Sequence, residues 1–177
     1  MDDHSVASLL ARAQSGDTRA FSELVATHRR PMWAVTLRIT GNEHDAQDAM
    51  QDALVAAWQN LDKFRGDSAI GTWLYRIAAN AALAVVRKRR EVPVDEVPDY
   101  AGGPDIGDRV ADRDMVQVAL RALPDQFREA IVLREVGDLT YDAIAAHQGV
   151  PVATVKTRLN RARKMLLEEL TKLRAGA

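Results

Sequence analysis

The strongest constraint on the fold is an interruption in the pattern of the chain. Between Glu91 and Asp112, Pro93, Pro98 and Pro104 stand among Gly102, Gly103 and Gly107, with Glu91, Asp95, Glu96, Asp99, Asp105 and Asp108 interspersed. Proline removes backbone donors, glycine raises the entropy cost of ordering, and the acids repel one another. Residues 91–112 are therefore expected to form an extended, flexible, acidic linker. Residues 1–90 and 113–177 must then each bury a core of their own, at lengths within the range of small domains.

Both flanks carry apolar residues at helical spacing, and neither has a useful run of strand-like alternation. In the first, Val6, Leu9, Leu10 and Ala13 predict a helix that stops at Ser15 and Gly16, with Asp17 as N-cap of the next. Phe21, Leu24, Val25, Met32, Val35 and Ile39 read as one second helix, kinked at Pro31 and ended by Gly41. Asn42 caps a third, whose stripe is Ala46, Ala49, Met50, Ala53, Leu54, Ala57 and Trp58. A fourth starts near Asp67 or Ser68 and is expected to bury Ile70, Trp73, Leu74, Ile77, Ala81 and Val85 before an unbroken basic run, Arg87 to Arg90.

The second flank begins with a short helix on Val116, Ala119, Leu120 and Leu123, ended by Pro124, and a further one on Ala130, Ile131 and Leu133 up to Gly137. Thr140 then caps a helix carrying Ile144 and Ala145, and Gly149 supplies a turn where a positive φ costs little. Pro151 precedes a long helix with Val155, Leu159, Ala162 and Leu166 inward. That is the grammar of a helix-turn-helix. The fold class is all-α, two small helical domains joined by a flexible linker.

Net charge is only -1, but its distribution is uneven. From Gly41 to Gln59 the acids Glu43, Asp45, Asp48 and Asp52 meet no Lys or Arg. From Pro151 onward seven Lys and Arg stand against Glu168 and Glu169. An acidic and a basic surface imply two kinds of partner. The absence of cysteine excludes disulfides, thiolate metal sites and a thiol nucleophile. No apolar run approaches the roughly 20 residues that span a bilayer. Met1 is followed by Asp2, Asp3 and His4 rather than a basic and then apolar leader, so a cytoplasmic protein without membrane insertion is expected. His4, His28, His44 and His147 lack metal-ligand spacing and are read as surface residues, so neither a metal nor a cofactor is expected.

Three constellations carry chemistry. At 100° per residue, Thr154, Thr157, Arg158 and Arg161 share an outward stripe of the last helix, where Arg can give guanine two hydrogen bonds and Thr can meet a base edge. Lys156, Arg163 and Lys164 suit phosphates. In the third helix Asp45, Asp48 and Asp52 lie on one face. Asp48 and Asp52 form a repulsive i,i+4 pair with nothing local to compensate it, although acids near a helix N-terminus also favour the dipole. The loop Lys63, Phe64, Arg65, Gly66, Asp67 and Ser68 mixes an aromatic with cations and small polar groups, a chemistry able to hold an unstacked base; Phe64 is equally suited to staple the following helix. Beyond that loop Arg76, Asn80, Leu83, Arg87 and Arg90 share a face opposite the apolar one. No acid, base or metal constellation suited to catalysis is visible, so no enzyme is expected.

Placed in order, these segments resemble the extracytoplasmic-function (group 4) sigma factors of the sigma-70 family across nearly the whole chain. GNEHDAQDAMQDALVAAW, from Gly41 to Trp58, is similar to region 2.2, and FRGDSAIGTWLYRIAANAALAVVRKRR, from Phe64 to Arg90, to regions 2.3 and 2.4. LPDQFREAIVLR, from Leu123 to Arg134, resembles region 4.1, and LTYDAIAAHQGVPVATVKTRLNRARKML, from Leu139 to Leu166, the region 4.2 helix-turn-helix. The resemblance implies that residues 1–90 are sigma region 2 and residues 113–177 sigma region 4. It implies core RNA polymerase binding through Asp48, Gln51 and Asp52. Minus-ten DNA would be recognised and melted through Lys63, Phe64, Arg65, Asp67, Ser68, Arg76, Asn80 and Arg87. Minus-35 DNA would be bound through Thr154, Lys156, Thr157, Arg158 and Arg161. It further implies a masking anti-sigma factor, a stress or envelope response, and a linker that follows a path built for nucleic acid. Two residues depart from the family pattern: Ala84, where an acid is frequent, and Ala143, which leaves the capping box after Thr140 incomplete.

Overall fold

The computed structural model describes residues 3–91 and 107–175. Among the described residues it contains nine α-helices, one short 3-10 turn and no strand. The first domain comprises α1 (Asp3–Gln14), α2 (Thr18–Ala26), α3 (Arg29–Thr40), α4 (Glu43–Gln59), the turn Leu61–Lys63 and α5 (Ile70–Glu91). The second comprises α6 (Gly107–Ala122), α7 (Asp125–Glu135), α8 (Tyr141–Gln148) and α9 (Val152–Ala175).

The caps act where the sequence places them. Asp17 accepts from the backbone N–H of Arg19 and Ala20, Asn42 from Asp45, and Thr140 from Ala143. Each satisfies a donor that the first turn of a helix would leave unpaired. Gly41 ends α3 at φ 89, and Gly149 ends α8 at φ 63; both are left-handed conformations that a Cβ disfavours.

Three expectations are corrected. The single helix kinked at Pro31 is two helices, broken at Thr27 and His28. Pro31 is the third residue of α3, inside the first turn, where its missing N–H removes no helical bond. The buried stripe of α5 is Ile70, Leu74, Ala78, Ala82 and Val86, joined by Gly71, Ala79 and Leu83. Trp73, Ile77, Ala81 and Val85 are only half-buried, and Leu83 packs in the core instead of sharing the polar face. The helix turned its small residues inward because it packs closely on both α3 and α4, where alanines let backbones approach. Finally, α6 begins at Gly107, well before residue 113, since no proline stands between Pro104 and Pro124 to stop a helix. The remainder of the expected linker, residues 92–106, lies outside the described residues.

α3, α4 and α5 form the centre of the first domain, with α1 and α2 paired beside them. Leu24, Met32, Val35, Ile39, Ala53, Ala57 and Leu74 are fully or almost fully buried there. In the second domain α6, α7 and α8 pack around α9 over Leu123, Leu133, Leu139, Ile144, Val155 and Leu159. These residues belong to one continuous buried cluster, and at about 1.5–3 kcal/mol for each large aliphatic side chain removed from water they dominate the stability of the chain.

The domains meet where α3 ends. The last carbonyls of a helix lack intrahelical partners and carry its negative dipole end. Two arginines from the second domain occupy that position. Arg128 donates to the Ile39 carbonyl at 3.0 Å, and Arg121 donates to the carbonyl of Gly41. Arg38 and Gln117 exchange two hydrogen bonds of 3.2 Å. Asp125 takes Arg128 at 2.7 Å and, through both oxygens, Arg90 of the first domain at 2.9 and 3.0 Å. Burial pushes the Arg128 pKa down and Asp125 pulls it back up. The guanidinium remains charged, with its buried Nε lacking a hydrogen-bond partner.

Candidate nucleic-acid and partner-binding surfaces

α4 exposes Asp48, Gln51 and Asp52 because its apolar stripe of Ala46, Ala49, Met50, Ala53 and Ala57 faces inward. The acids are not all without local compensation. Asp45 receives the Asn42 amide at 2.7 Å and the Arg89 guanidinium at 3.3 Å, and His44 lies 3.7 Å from Asp48. Asp52 makes no ion pair among the described residues. Beside this face lies an open groove of about 720 Å³ between α2, α3 and α4, lined by Trp33, Met50, Leu54 and Val55 and edged by Arg29, Arg30 and Gln51. Val55 is 49% exposed, unusual for a valine on an otherwise well-packed helix. Sequence reasoning missed this groove. Its signal was the position of Trp33 and Val55 outside the core stripes of their helices.

The loop before α5 is held from behind. Gln14 of α1 donates to the carbonyls of Leu61 and Phe64 at 3.0 and 3.1 Å. Phe64 is buried against Trp73, ring centroids 5.3 Å apart, so it anchors the loop as a staple would. Lys63, Arg65 and Asp67 are exposed and Ser68 is half-buried, with the Lys63 ammonium on the Asn60 side-chain oxygen at 2.7 Å. Along α5, Arg76 is half-buried while Asn80 and Arg87 are exposed, and their spacing keeps all three within about 40° on one stripe.

A cavity of about 740 Å³ opens beside the loop. Phe64, Gly66, Ser68, Thr72, His28 and Tyr75 line it, and Val136 to Asp138 of the second domain contribute to its wall. His28 is not the surface residue expected: its Nδ1 lies 3.1 Å from the Tyr75 hydroxyl. Burial lowers the His28 pKa and raises that of Tyr75, favouring the neutral form of each.

In the second domain α8, the Gly149 turn and α9 form the helix-turn-helix. Val155, Leu159 and Ala162 seat α9 on the core, which leaves Lys156, Thr157 and Arg161 exposed and Thr154 half-buried on the outward side. The Thr157 hydroxyl donates to the Ala153 carbonyl at 3.1 Å. Arg163 pairs with Glu135 at 2.8 Å. Arg158 is half-buried and donates to the Gln148 side chain at 2.8 Å. His147 also departs from its expected place on the surface: its side chain is 3% exposed and contacts Glu129 at 2.8 Å. Among the described residues no cluster of His, Cys, Asp or Glu is arranged to hold a metal ion, and no helix is long and apolar enough to cross a membrane.

Comparison with known proteins agrees with this division. Residues 24–92 match Sigma-70 region 2, and residues 113–166 match Sigma-70, region 4. The chain is 36% identical to the RNA polymerase sigma-H factor of Pseudomonas aeruginosa, over 93% of each chain. It is 35% identical to the ECF RNA polymerase sigma-E factor of Escherichia coli K12, over 89% of this chain and 90% of the relative. Among solved structures, CnrH in complex with the cytosolic domain of CnrY superposes with a TM-score of 0.73 at 30% identity, over 95% of this chain and 98% of CnrH. The sigma factor RpoE of Bartonella quintana, bound to the anti-sigma factor NepR, gives a TM-score of 0.67 at 29% identity over 85% and 96%. Two helical domains, an acidic helix beside an apolar groove, a basic helix-turn-helix and these likenesses together establish that the chain belongs to the extracytoplasmic-function sigma factors of the sigma-70 family.

Proposed function

We propose that this chain binds core RNA polymerase through α4 and directs transcription initiation by reading two promoter elements, one with each domain. The observation that carries the reading is the presence in one chain of an exposed acidic face, Asp48, Gln51 and Asp52, and a helix-turn-helix whose outward stripe offers Thr154, Thr157 and Arg161. A stand-alone DNA-binding regulator would use the second surface and leave the first without a partner. The minus-ten element is read by the loop Lys63 to Ser68 with Arg76, Asn80 and Arg87, and the minus-35 element by α9, with Lys156 on phosphate and Arg158 on a base. The chain performs no chemistry of its own and works in the cytoplasm.

Length arithmetic adds a conformational step. Two elements about 25 base pairs apart, at about 3.4 Å per pair, are separated by about 85 Å. A compact chain of 177 residues has a radius of gyration of about 16 Å. The docked domains therefore come apart when both elements are read together. The apolar groove beside α4 suits an amphipathic helix from an anti-sigma factor, which would compete there with polymerase and hold the protein inactive until a stress or envelope signal releases it.

Core binding separates the roles. In a fluorescence assay with purified core polymerase, Asp52→Arg should weaken binding at least ten-fold, about 1.4 kcal/mol, while Arg161→Ala leaves it unchanged. Equal binding by the wild type and Asp52→Arg would remove α4 as the polymerase contact.

A further inference from the structure

Arg158 is held by a relay that runs from α7 through both helices of the helix-turn-helix, α8 and α9. Its guanidinium donates to Gln148 Oε1 at 2.8 Å. Gln148 Nε2 in turn donates to Glu129 Oε2 at 2.7 Å and to the Gln126 carbonyl at 3.1 Å. The other oxygen of Glu129 is taken by His147 at 2.8 Å. Glu129 is 7% exposed, so the relay is rooted in the core of the domain.

The chemistry fixes the direction of each member. A primary amide offers either a donor or an acceptor end, but Glu129 and the Gln126 carbonyl provide only acceptors on the inner side. Nε2 must face inward, so Oε1 faces Arg158, whose guanidinium has only donors. One N–H of Arg158 is thereby committed, which narrows the positions open to the guanidinium before any DNA arrives. Arg158 itself stands on the same stripe of α9 as Thr154, Thr157 and Arg161. A guanidinium that is already oriented gives up less side-chain freedom when it makes two hydrogen bonds to a guanine edge, and it tolerates other bases less.

We propose that Gln148, oriented by Glu129, is a positioning residue that sets one base preference of the upstream promoter element by fixing Arg158. This rests on the reading of α9 as the helix that contacts that element. The residues involved carry little signal in the sequence, because the partners come from α7, α8 and α9 and meet only when the three helices pack.

The test is transcription by core polymerase reconstituted with the full chain, on a promoter library with a randomised upstream element. Arg158→Ala identifies the position that Arg158 reads. Gln148→Leu removes the amide at similar volume and should flatten the preference at that same position by about two- to ten-fold, the cost of ordering one free side chain. Preferences elsewhere should remain. The double exchange Glu129→Gln with Gln148→Glu keeps an acceptor for Arg158 and for His147 but leaves the Gln126 carbonyl without its donor, and should restore the preference in part. An unchanged profile for Gln148→Leu, or equal loss at every position, would overturn the positioning role. If the wild type shows no preference at any upstream position while it still initiates from the downstream element, the reading of α9 fails and the inference fails with it.

Discussion

Replacing Arg128 by Met should release the second domain from the first. The side chain is 3% exposed, and its guanidinium donates to the Ile39 carbonyl at 3.0 Å and to Asp125 at 2.7 Å. Methionine keeps the aliphatic stem, so the packing loss is small. What disappears is a charged hydrogen bond onto a helix-end carbonyl of the other domain, worth about 1.5–3 kcal/mol. The larger penalty of about 3–5 kcal/mol for leaving a buried charge without a partner does not apply. Asp125 keeps both hydrogen bonds to Arg90, at 2.9 and 3.0 Å. A loss of about 2 kcal/mol shifts the ratio of docked to separated domains about thirty-fold. The chain contains no cysteine, so labels at Glu23→Cys on α2 and Thr171→Cys on α9, both exposed in the parent, report only the distance between domains. Pulsed electron-spin measurements should give one short distance for the parent and a broad, longer population for Arg128→Met, with unchanged helicity by circular dichroism. Superimposable distance distributions for the two proteins would refute the assignment of Arg128 as a principal tie between domains, beside Arg121, Arg38 and Arg90.

Other outcomes follow from single contacts. Gly41→Ala forces a Cβ onto a residue at φ 89 and against the Arg121 side chain, and should lower stability by about 1–3 kcal/mol, read as a fall in melting temperature. Asn42→Ala removes the N-cap of α4 and should cost about 1 kcal/mol in urea unfolding, whereas Asn42→Ser, which keeps a capping oxygen and puts no second charge beside Asp45, should retain most of it. Leu74→Ala, at a fully buried site in α5, should cost about 2–5 kcal/mol by the same method. Burial lowers the His28 pKa, so the unfolded chain binds the proton more readily than the folded one. The stability this residue permits at neutral pH should therefore decline as pH falls from about 6.5 towards the lower folded value. His28→Phe should flatten that part of the pH profile; an identical slope in the variant would assign it to other groups.

Much of the architecture was legible because local signals agreed with one another. Asp17, Asn42 and Thr140 cap the helices they precede, Gly41 and Gly149 supply left-handed ends, and the stripe from Ala46 to Ala57 is the buried face of α4. Periodicity misled at α5. Weighting large residues pointed to Trp73 and Ile77, while a helix wedged between two neighbours buries its alanines and leaves bulkier side chains at the margin. Pro31 misled for a related reason: proline marks a break as readily from inside a first turn as from within a kink. The polar interior was not legible. Arg128, Glu129 and His147 have ordinary surface composition, and they are buried only because partners more than ten residues away, Ile39, Gln148 and one another, satisfy them. The acidic face of α4 was visible as unbalanced charge, but its partial neutralisation by Arg89 depends on α5 folding back alongside.

Run-off transcription with start-site mapping decides whether the two domains together give RNA polymerase its choice of promoter. Purified bacterial core polymerase, with and without this protein, is supplied with a library of genomic promoters. Discrete protein-dependent starts that share two upstream elements at fixed spacing are expected. Asp52→Arg should reduce all of them together, and Arg161→Ala should reduce them according to their minus-35 sequence. No protein-dependent start, under conditions where a control sigma factor initiates, would contradict that role of the domains.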